Sequence, residues 1–417
     1  MPDTVSRPRW RLRLRLLTPA YVGGARPRRV DPHTPLRPPS LRGVWRQWFR
    51  YAAAAALKPG PGFDREAALQ ALWTMEASLF GSTEGGSRLL VGHPLGGEIT
   101  QRPSPDRRQW AGLRYLGYGI FDGPGPDPQA VETPEGSLIT LPLGLHREAA
   151  DGPLARALAA TLWLWGHFGG VGARARRGWG SVEIVDLGGL PWSGPPLQPF
   201  ADRKALLNGL LQGLDQATLV FRELARAQGF PVHPASRALP ELRSLDGIAT
   251  LRALPTTFEH PFDALDFAGR LFQDFRSTLR RQDQGLPPLP DYTEVKDALR
   301  GQPGAPASVD RAAFGLPLPF YFRSLNGAKT VVVPRARHDG KPADRLPSPL
   351  LFRVHRLERD RFVVTLVDLA SAASASHLTG LQPQLNNKRA TIPAPDGALV
   401  KEFLAWAGQE THRRRAR

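Results

Sequence analysis

Glycine and arginine crowd into one short stretch of this chain, GHFGGVGARARRGWGS, at residues 166–181. Guanidinium groups bind phosphate through paired hydrogen bonds, and glycine lets an anion approach backbone N–H groups closely. The stretch therefore predicts a surface for nucleic-acid phosphates, with a mobile solvated loop as the alternative. Its candidate residues are Gly169, Gly170, Gly172, Arg174, Arg176, Arg177, Gly178 and Gly180.

A nucleotide cradle does not fit this stretch. A phosphate-binding loop of the Walker type needs G-x-x-x-x-G-K-[ST], which the sequence lacks. A dinucleotide fingerprint lies between a strand and a helix, whereas here a helical pattern precedes the glycines and a strand pattern follows them. The segment RRGWGSVEI also partly matches an RNA-binding ribonucleoprotein motif. Ser181 and Ile184 stand where that motif has stacking aromatics, so base stacking on this strand is not supported.

A helix predicted after Ser40, which has the side chain of a good N-cap, carries a second cationic feature. At about 100° per residue, its apolar side chains form one arc that includes Trp45 and Trp48. Both tryptophans are therefore expected in the core. Arg42, Arg46 and Arg50 form a stripe on roughly the opposite side and are available to a partner.

Catalytic chemistry has few candidates. His33 and Asp31 lie among arginines in the loop after the first strand, and such a histidine could act as acid or base on an RNA 2′-OH without a metal. His167 is a weaker candidate, because it stands at a helix end and could simply cap that helix. The histidines show no metal-binding spacing, so neither a metal nor a cofactor is expected.

Composition points to a polyanionic partner. The formal net charge of the 417 residues is +17, and the sequence pI is about 11.0. The sequence has no cysteine, which excludes disulfides and thiol nucleophiles. It also has no run of about 18 apolar residues, so a cytoplasmic protein is expected.

Hydrophobic periodicity predicts the elements that position these groups. RWRLRLRL, residues 9–16, alternates as a half-buried strand with a cationic face. Strand, helix, strand, strand, helix, strand is the order up to residue 190, as in a ferredoxin-like domain. Long helices at 202–228 and 264–281, strands including a hairpin, and a basic tail follow. We predict an α+β protein with two tandem ferredoxin-like (RRM-like) domains with helical insertions, at 1–190 and 191–417.

Six segments occur together in order: TPAYVGG, PSLRGVWRQWFR, EASLFGS, GGVGARARRGWGS, FGLPLPF and DRLPSPLLFR. In these segments the chain resembles the RAMP superfamily of CRISPR-associated proteins. Within it, the arginine helix and the LFGS element are most similar to the family of first subunits of the type III-B (Cmr) effector complex. Residues 94–137 and 200–300 match little.

The resemblance implies a non-catalytic RNA-binding subunit in antiviral defence. Such a subunit binds single-stranded target RNA opposite the 3′ part of a guide (CRISPR) RNA, beside other Cmr subunits and without a membrane. The alternative is a metal-independent RAMP endoribonuclease that acts on CRISPR RNA through His33 or His167.

Overall fold

The structure is a computed structural model that describes residues 9–121, 125–234, 236, 243–300, 308–334, 345–369, 381–385, 388–389, 395, 397–409 and 411. The basic tail predicted at the end of the chain, HRRRAR at residues 412–417, lies outside these residues. Helices pack against small antiparallel sheets, as the predicted mixed class requires.

The helices and strands are numbered separately in chain order. The α-helices are α1 (Pro38–Ala56), α2 (Arg65–Phe80), α3 (Ala111–Leu116), α4 (Pro153–Phe168), α5 (Arg203–Ala227), α6 (Pro261–Arg276), α7 (Thr278–Gln282), α8 (Asp291–Arg300) and α9 (Ala398–Ala407). The strands are β1 (Arg9–Leu16), β2 (Leu89–Val91), β3 (Glu98–Gln101), β4 (Gln129–Glu132), β5 (Ile139–Leu145), β6 (Val182–Asp186), β7 (Ile248–Ala253), β8 (Leu318–Phe322), β9 (Ala328–Pro334), β10 (Leu350–Leu357), β11 (Arg361–Leu369), β12 (Leu381–Leu385) and β13 (Lys388–Arg389).

Strand β1 lies inside the first sheet, whose order is β2-β5-β1-β6 with every pair antiparallel. Its apolar side chains are all buried, whereas Arg9, Arg11 and Arg13 are exposed. The alternation predicted from RWRLRLRL is confirmed, because successive side chains of a strand point to opposite faces. A separate pair, β3-β4, contains residues for which the sequence predicted no strand.

Helix α1 begins earlier than its sequence predicts. It starts at Pro38 with Arg37 as the N-cap residue, so the prediction of Ser40 as N-cap is wrong. Proline suits the first helical turn, since its φ is already helical and its missing N–H would have no partner there. Trp45 and Trp48 are 0% and 5% exposed, which confirms that both belong to the core.

The strands of the second half lie in two sheets. Strands β10 and β11 form the predicted hairpin and continue to β7, in the order β10-β11-β7. The second sheet has the order β13-β12-β9-β8. The helix predicted at 264–281 is divided into α6 and α7. Ser277 is extended between them, and its hydroxyl lies 3.4 Å from the N–H of Arg280, as at an N-cap.

Helix α5 packs against the first half of the chain. The ring centroid of Phe221 lies 4.7 Å from that of Phe49 in α1. Gly213 lies so close to the Trp163 ring of α4 that a Cβ atom there would overlap it. One hydrophobic core thus contains side chains from both sides of residue 190. The division into domains at residues 190 and 191 stays a prediction.

Candidate RNA-binding surface

The glycine loop, residues 169–181, connects the end of α4 to β6. The N–H of Ala173 donates to the carbonyl oxygen of Tyr21 at 2.8 Å, and the N–H of Gly180 donates to that of Pro19 at 2.9 Å. Trp179 is buried, with its ring centroid 5.3 Å from that of Tyr21. Backbone hydrogen bonds and a buried tryptophan therefore fix this loop onto the segment that follows β1.

The loop glycines lie against the chain's own atoms. An added Cβ would come within 3.0 Å of a neighbouring atom at each of the predicted positions Gly169, Gly170, Gly172, Gly178 and Gly180. At Gly180 the obstacle is the carbonyl oxygen of Val171, and the backbone φ of 63° also disfavours any side chain. Glycine thus permits the loop to pack on the protein itself. Contact of these glycines with RNA stays a prediction.

The loop arginines have different environments. Arg174 is exposed and has a left-handed backbone with φ 60°. Arg176 is half-buried, and its Nη1 donates to the carbonyl oxygen of Ser348 at 2.6 Å. The N–H of Phe352 donates to the carbonyl oxygen of Arg176 at 3.0 Å. Arg176 therefore connects the loop to β10 in the second half of the chain.

Arg243 adds a cation that sequence reasoning missed. Its Nη1 donates to the same Ser348 oxygen at 3.2 Å. Burial, together with the charge of Arg176, lowers the pKa of Arg243 to about 10, so the Arg243 guanidinium is still charged at neutral pH. Two guanidinium groups that share a neutral carbonyl oxygen concentrate positive charge beside the loop. No motif surrounds Arg243 in the sequence, so no signal could have identified it.

Arg177 is enclosed by aromatic rings. Its guanidinium carbon lies 4.8 Å from the ring centroid of Phe272 and 5.5 Å from that of Phe352. Its Nη2 donates to the carbonyl oxygen of Phe314 at 3.0 Å, and its Nη1 is buried. Burial lowers the pKa of Arg177 to about 9, and neighbouring Arg276 contributes. These contacts hold two parts of the fold together and leave little of the guanidinium for RNA.

The arginine stripe of α1 faces β2 and α2. Arg42 donates to the carbonyl oxygen of Leu89 at 3.0 Å. Arg46 lies 3.2 Å from the Glu76 carboxylate, and Arg50 donates to that carboxylate through Nε and, at 2.8 Å, through Nη2. The side chains of Arg46 and Arg50 are 38% and 42% exposed. Two arginines thus share one carboxylate, and the stripe keeps a net positive charge at the surface.

Both cationic features lie in a part of the chain that matches a known protein family. Residues 13–183 match the family model of the RAMP superfamily. The resemblance read from the motifs is confirmed for this segment. No curated protein sequence matches the chain.

Two solved structures align with nearly the whole chain. The crystal structure of apo Cmr1 from Pyrococcus furiosus has a TM-score of 0.53 and 17% identity, over 95% of this chain and 96% of that one. A chain of a type III-B Cmr-beta complex bound to cognate target RNA has a TM-score of 0.46 and 11% identity, over 98% and 99% of the two chains. The similarity to Cmr1 shows a shared fold that extends beyond residues 13–183, which we call the RAMP segment.

His167 of the RAMP segment has no access to RNA. It is 1% exposed, its ring is stacked 4.2 Å from that of Trp163, and its Nδ1 lies 2.8 Å from the Trp163 carbonyl oxygen. Burial lowers the pKa of His167 to about 3, so the imidazole is neutral near pH 7. A neutral, enclosed imidazole is unsuited to acid–base chemistry on an RNA hydroxyl.

His33 of the RAMP segment is exposed, but Asp31 does not orient its ring in the described contacts. The Asp31 carboxylate accepts the backbone N–H of His33 at 2.9 Å and that of Thr34 at 3.3 Å, which closes a local turn. Within the described ranges, no three His, Asp or Glu side chains are grouped closely enough for a metal ion. None of the helices described is both long and apolar enough to cross a membrane.

Proposed function

We propose that this protein is a non-catalytic RNA-binding subunit of a type III-B CRISPR effector complex. In this role it helps to capture single-stranded target RNA opposite the 3′ part of the guide RNA, in contact with other Cmr subunits and in the cytoplasm. The observation that carries the proposal is the incompletely neutralised positive charge on the RAMP segment, where Arg46 and Arg50 share the single carboxylate of Glu76. Membership of the complex and the position of the target RNA are what the motif resemblance implies.

Two cationic areas support an extended RNA path. Helix α1 carries the stripe and also touches the glycine loop, since Trp48 lies against Gly169. Tyr51 of the same helix lies 3.4 Å from Nη2 of Arg176. Trp48 and Tyr51 lie on the face of α1 opposite the stripe. A single strand that contacts both cationic areas would therefore pass around this helix, with phosphates bound by arginine along the way.

We also propose how the two halves of the chain fold. The order β2-β5-β1-β6, with α1 and α2 between β1 and β2 and α4 between β5 and β6, supports a ferredoxin-like arrangement in the first half. We propose that the second half is a divergent version, in which β7, β10 and β11 form the main sheet.

Replacement of both Arg174 and Arg176 by alanine should weaken RNA binding about tenfold, because charge-assisted contacts to phosphate are lost. The slope of log affinity against log salt should become shallower by about 1.4, or about 0.7 for each phosphate contact on a single strand. Fluorescence anisotropy with labelled single-stranded RNA measures both quantities. Arg177 is left unchanged, because its removal would disturb the fold.

The control for this double variant is Arg226→Ala, which removes one exposed charge at the end of α5. It should leave the affinity nearly unchanged. A double variant that melts like the wild type and keeps the wild-type affinity and salt slope would show that the glycine loop does not bind RNA.

The proposal that the protein does not cleave RNA can be tested separately. Labelled RNA incubated with the purified protein in EDTA should stay intact, because neither His33 nor His167 is placed as an acid–base residue. Gel electrophoresis over several hours measures this. Cleavage that persists in EDTA and disappears in His33→Ala would favour the endoribonuclease alternative instead.

A further inference from the structure

The geometry points to a stacking site for one unpaired RNA base in the pocket beside Trp73. This inference rests on the proposed function, because it names the chemical group that the surface recognises in addition to phosphate. The pocket lies between α2 and the loop at residues 81–87, next to the arginine stripe. Trp73 belongs to none of the sequence motifs named above.

Trp73 is a large aromatic side chain that folding leaves in contact with solvent. It is 45% exposed on α2. The guanidinium carbon of Arg50 lies 5.0 Å from the indole centroid, and Glu76 binds that guanidinium in turn. A cation on one ring face and a carboxylate behind the cation hold the indole in a defined position. An indole that is fixed but still exposed is suited to stack a planar group.

The pocket has the size and lining of a small-ligand site. Its volume is about 480 Å³, within the range of pockets that hold small molecules and cofactors. Its lining combines rings, hydroxyls and charged groups: Arg46, Trp73, Glu76, Phe80, Ser82 and Thr83. Arg46 lies over the Phe80 ring at 5.5 Å and donates to the carbonyl oxygens of Phe80 and Gly81. The floor of the pocket is thus built from contacts that are already satisfied.

The charge beside the pocket favours a nucleotide over a neutral planar group. Arg46 and Arg50 together exceed the charge of Glu76 by one, and both side chains are partly exposed. An aromatic platform next to an arginine-lined path is the combination by which proteins bind single-stranded nucleic acids. Both oxygens of Glu76 already accept from arginine. The Glu76 carboxylate is therefore not free to bind the edge of a base, whereas the indole offers a face on which any of the four bases can stack.

The experiment compares two probes on full-length protein. One is a labelled single-stranded RNA, and the other is an abasic ribose-phosphate oligomer of equal length. Trp73→Ala should weaken RNA binding about tenfold, the usual cost of removing one stacking aromatic. It should leave the salt slope and the affinity for the abasic oligomer unchanged, because no phosphate contact is removed. Trp73→Phe should restore most of the lost affinity.

The matched control is Tyr321→Ala, which removes an aromatic side chain of similar exposure, 52%, from β8. It should not change the affinity for RNA. A second measurement uses RNA with 2-aminopurine at successive positions. Stacking on the indole should quench its fluorescence at one position, and the quenching should vanish in Trp73→Ala.

The outcomes separate this inference from the function on which it rests. Wild-type protein that binds neither probe overturns both. Wild-type protein that binds both probes, with unchanged RNA affinity and unchanged quenching in Trp73→Ala, overturns the stacking site alone. Equal loss of affinity for both probes in Trp73→Ala also overturns it. Unchanged RNA affinity in Trp73→Ala is also the result expected if the pocket contacts a protein partner instead of RNA.

Discussion

Replacement of Glu183 by glutamine should lower the free energy of unfolding by about 3 kcal/mol, the low end of the range for breaking a buried ion pair. The Glu183 side chain in β6 is fully buried and lies 3.1 Å from Nε of Arg15 and 3.0 Å from Nη2 of Arg356. Glutamine keeps the shape but leaves two arginines without their shared carboxylate. Both arginines have some contact with solvent, which keeps the loss at the low end. Urea denaturation followed by circular dichroism measures it.

Asp186→Asn is the matched control on the same strand. Asp186 pairs with Arg13 of β1 at 2.7 Å, but these two side chains are 39% and 51% exposed. Exposed pairs contribute little, so this variant should cost less than about 1 kcal/mol. Asparagine can still accept the N–H of Gly188, which Asp186 binds at 2.7 Å. Equal losses in the two variants would mean that burial does not strengthen the Glu183 pairs.

The fold could be predicted where a local pattern decided it. The alternation of RWRLRLRL predicted β1, and the structure confirms it. The N-cap predicted at Ser40 is wrong, because Pro38 starts α1 earlier. The packing of α5 against α1 could not be predicted from the sequence, because contacts between distant segments leave no periodic signal. The break at Ser277 was missed because the apolar spacing continues across it.

The candidate site was predictable as a set of cations but not as a set of contacts. Residue types marked Arg46 and Arg50 as phosphate ligands, yet they did not show that Glu76 holds both. They also did not distinguish exposed Arg174 from enclosed Arg177, because the aromatic rings around Arg177 come from segments far away in the sequence. Whether an arginine meets a phosphate or a carbonyl oxygen depends on tertiary packing.

The stability of the folded chain should fall steeply as the pH drops from 7 to 5. His167 of α4 and His355 of β10 are both buried, with ring centroids 6.3 Å apart. Burial, reinforced by the charge of Arg353, lowers the pKa of His167 to about 3 and that of His355 well below its usual range. In the unfolded chain each histidine titrates near pH 6.5. Their contribution is therefore fully present above that pH and is lost as the pH falls below it.

The size of this effect follows from proton linkage. At pH 5 each of these two histidines carries about one proton in the unfolded chain and none in the folded chain. This difference lowers the free energy of unfolding by about 2 kcal/mol per site and by about 4 kcal/mol for the pair. Chemical denaturation at a series of pH values measures the loss. Carboxyl groups of the unfolded chain titrate mostly below this window, so the histidines dominate the slope.

Neutral substitutions identify the groups responsible. His167→Asn keeps a donor near Nδ1 for the Trp163 carbonyl oxygen, and His355→Gln keeps a polar atom near Nε2 for Thr365, 2.9 Å away. Each variant should remove about half of the pH dependence between pH 7 and 5, and exposed His33→Gln should remove almost none. A wild-type pH dependence in His167→Asn would mean that His167 is protonated within the folded chain. Because Arg353 donates to the carbonyl oxygens of Gly166 and Val182, such a proton would bring a second buried positive charge between α4 and β10.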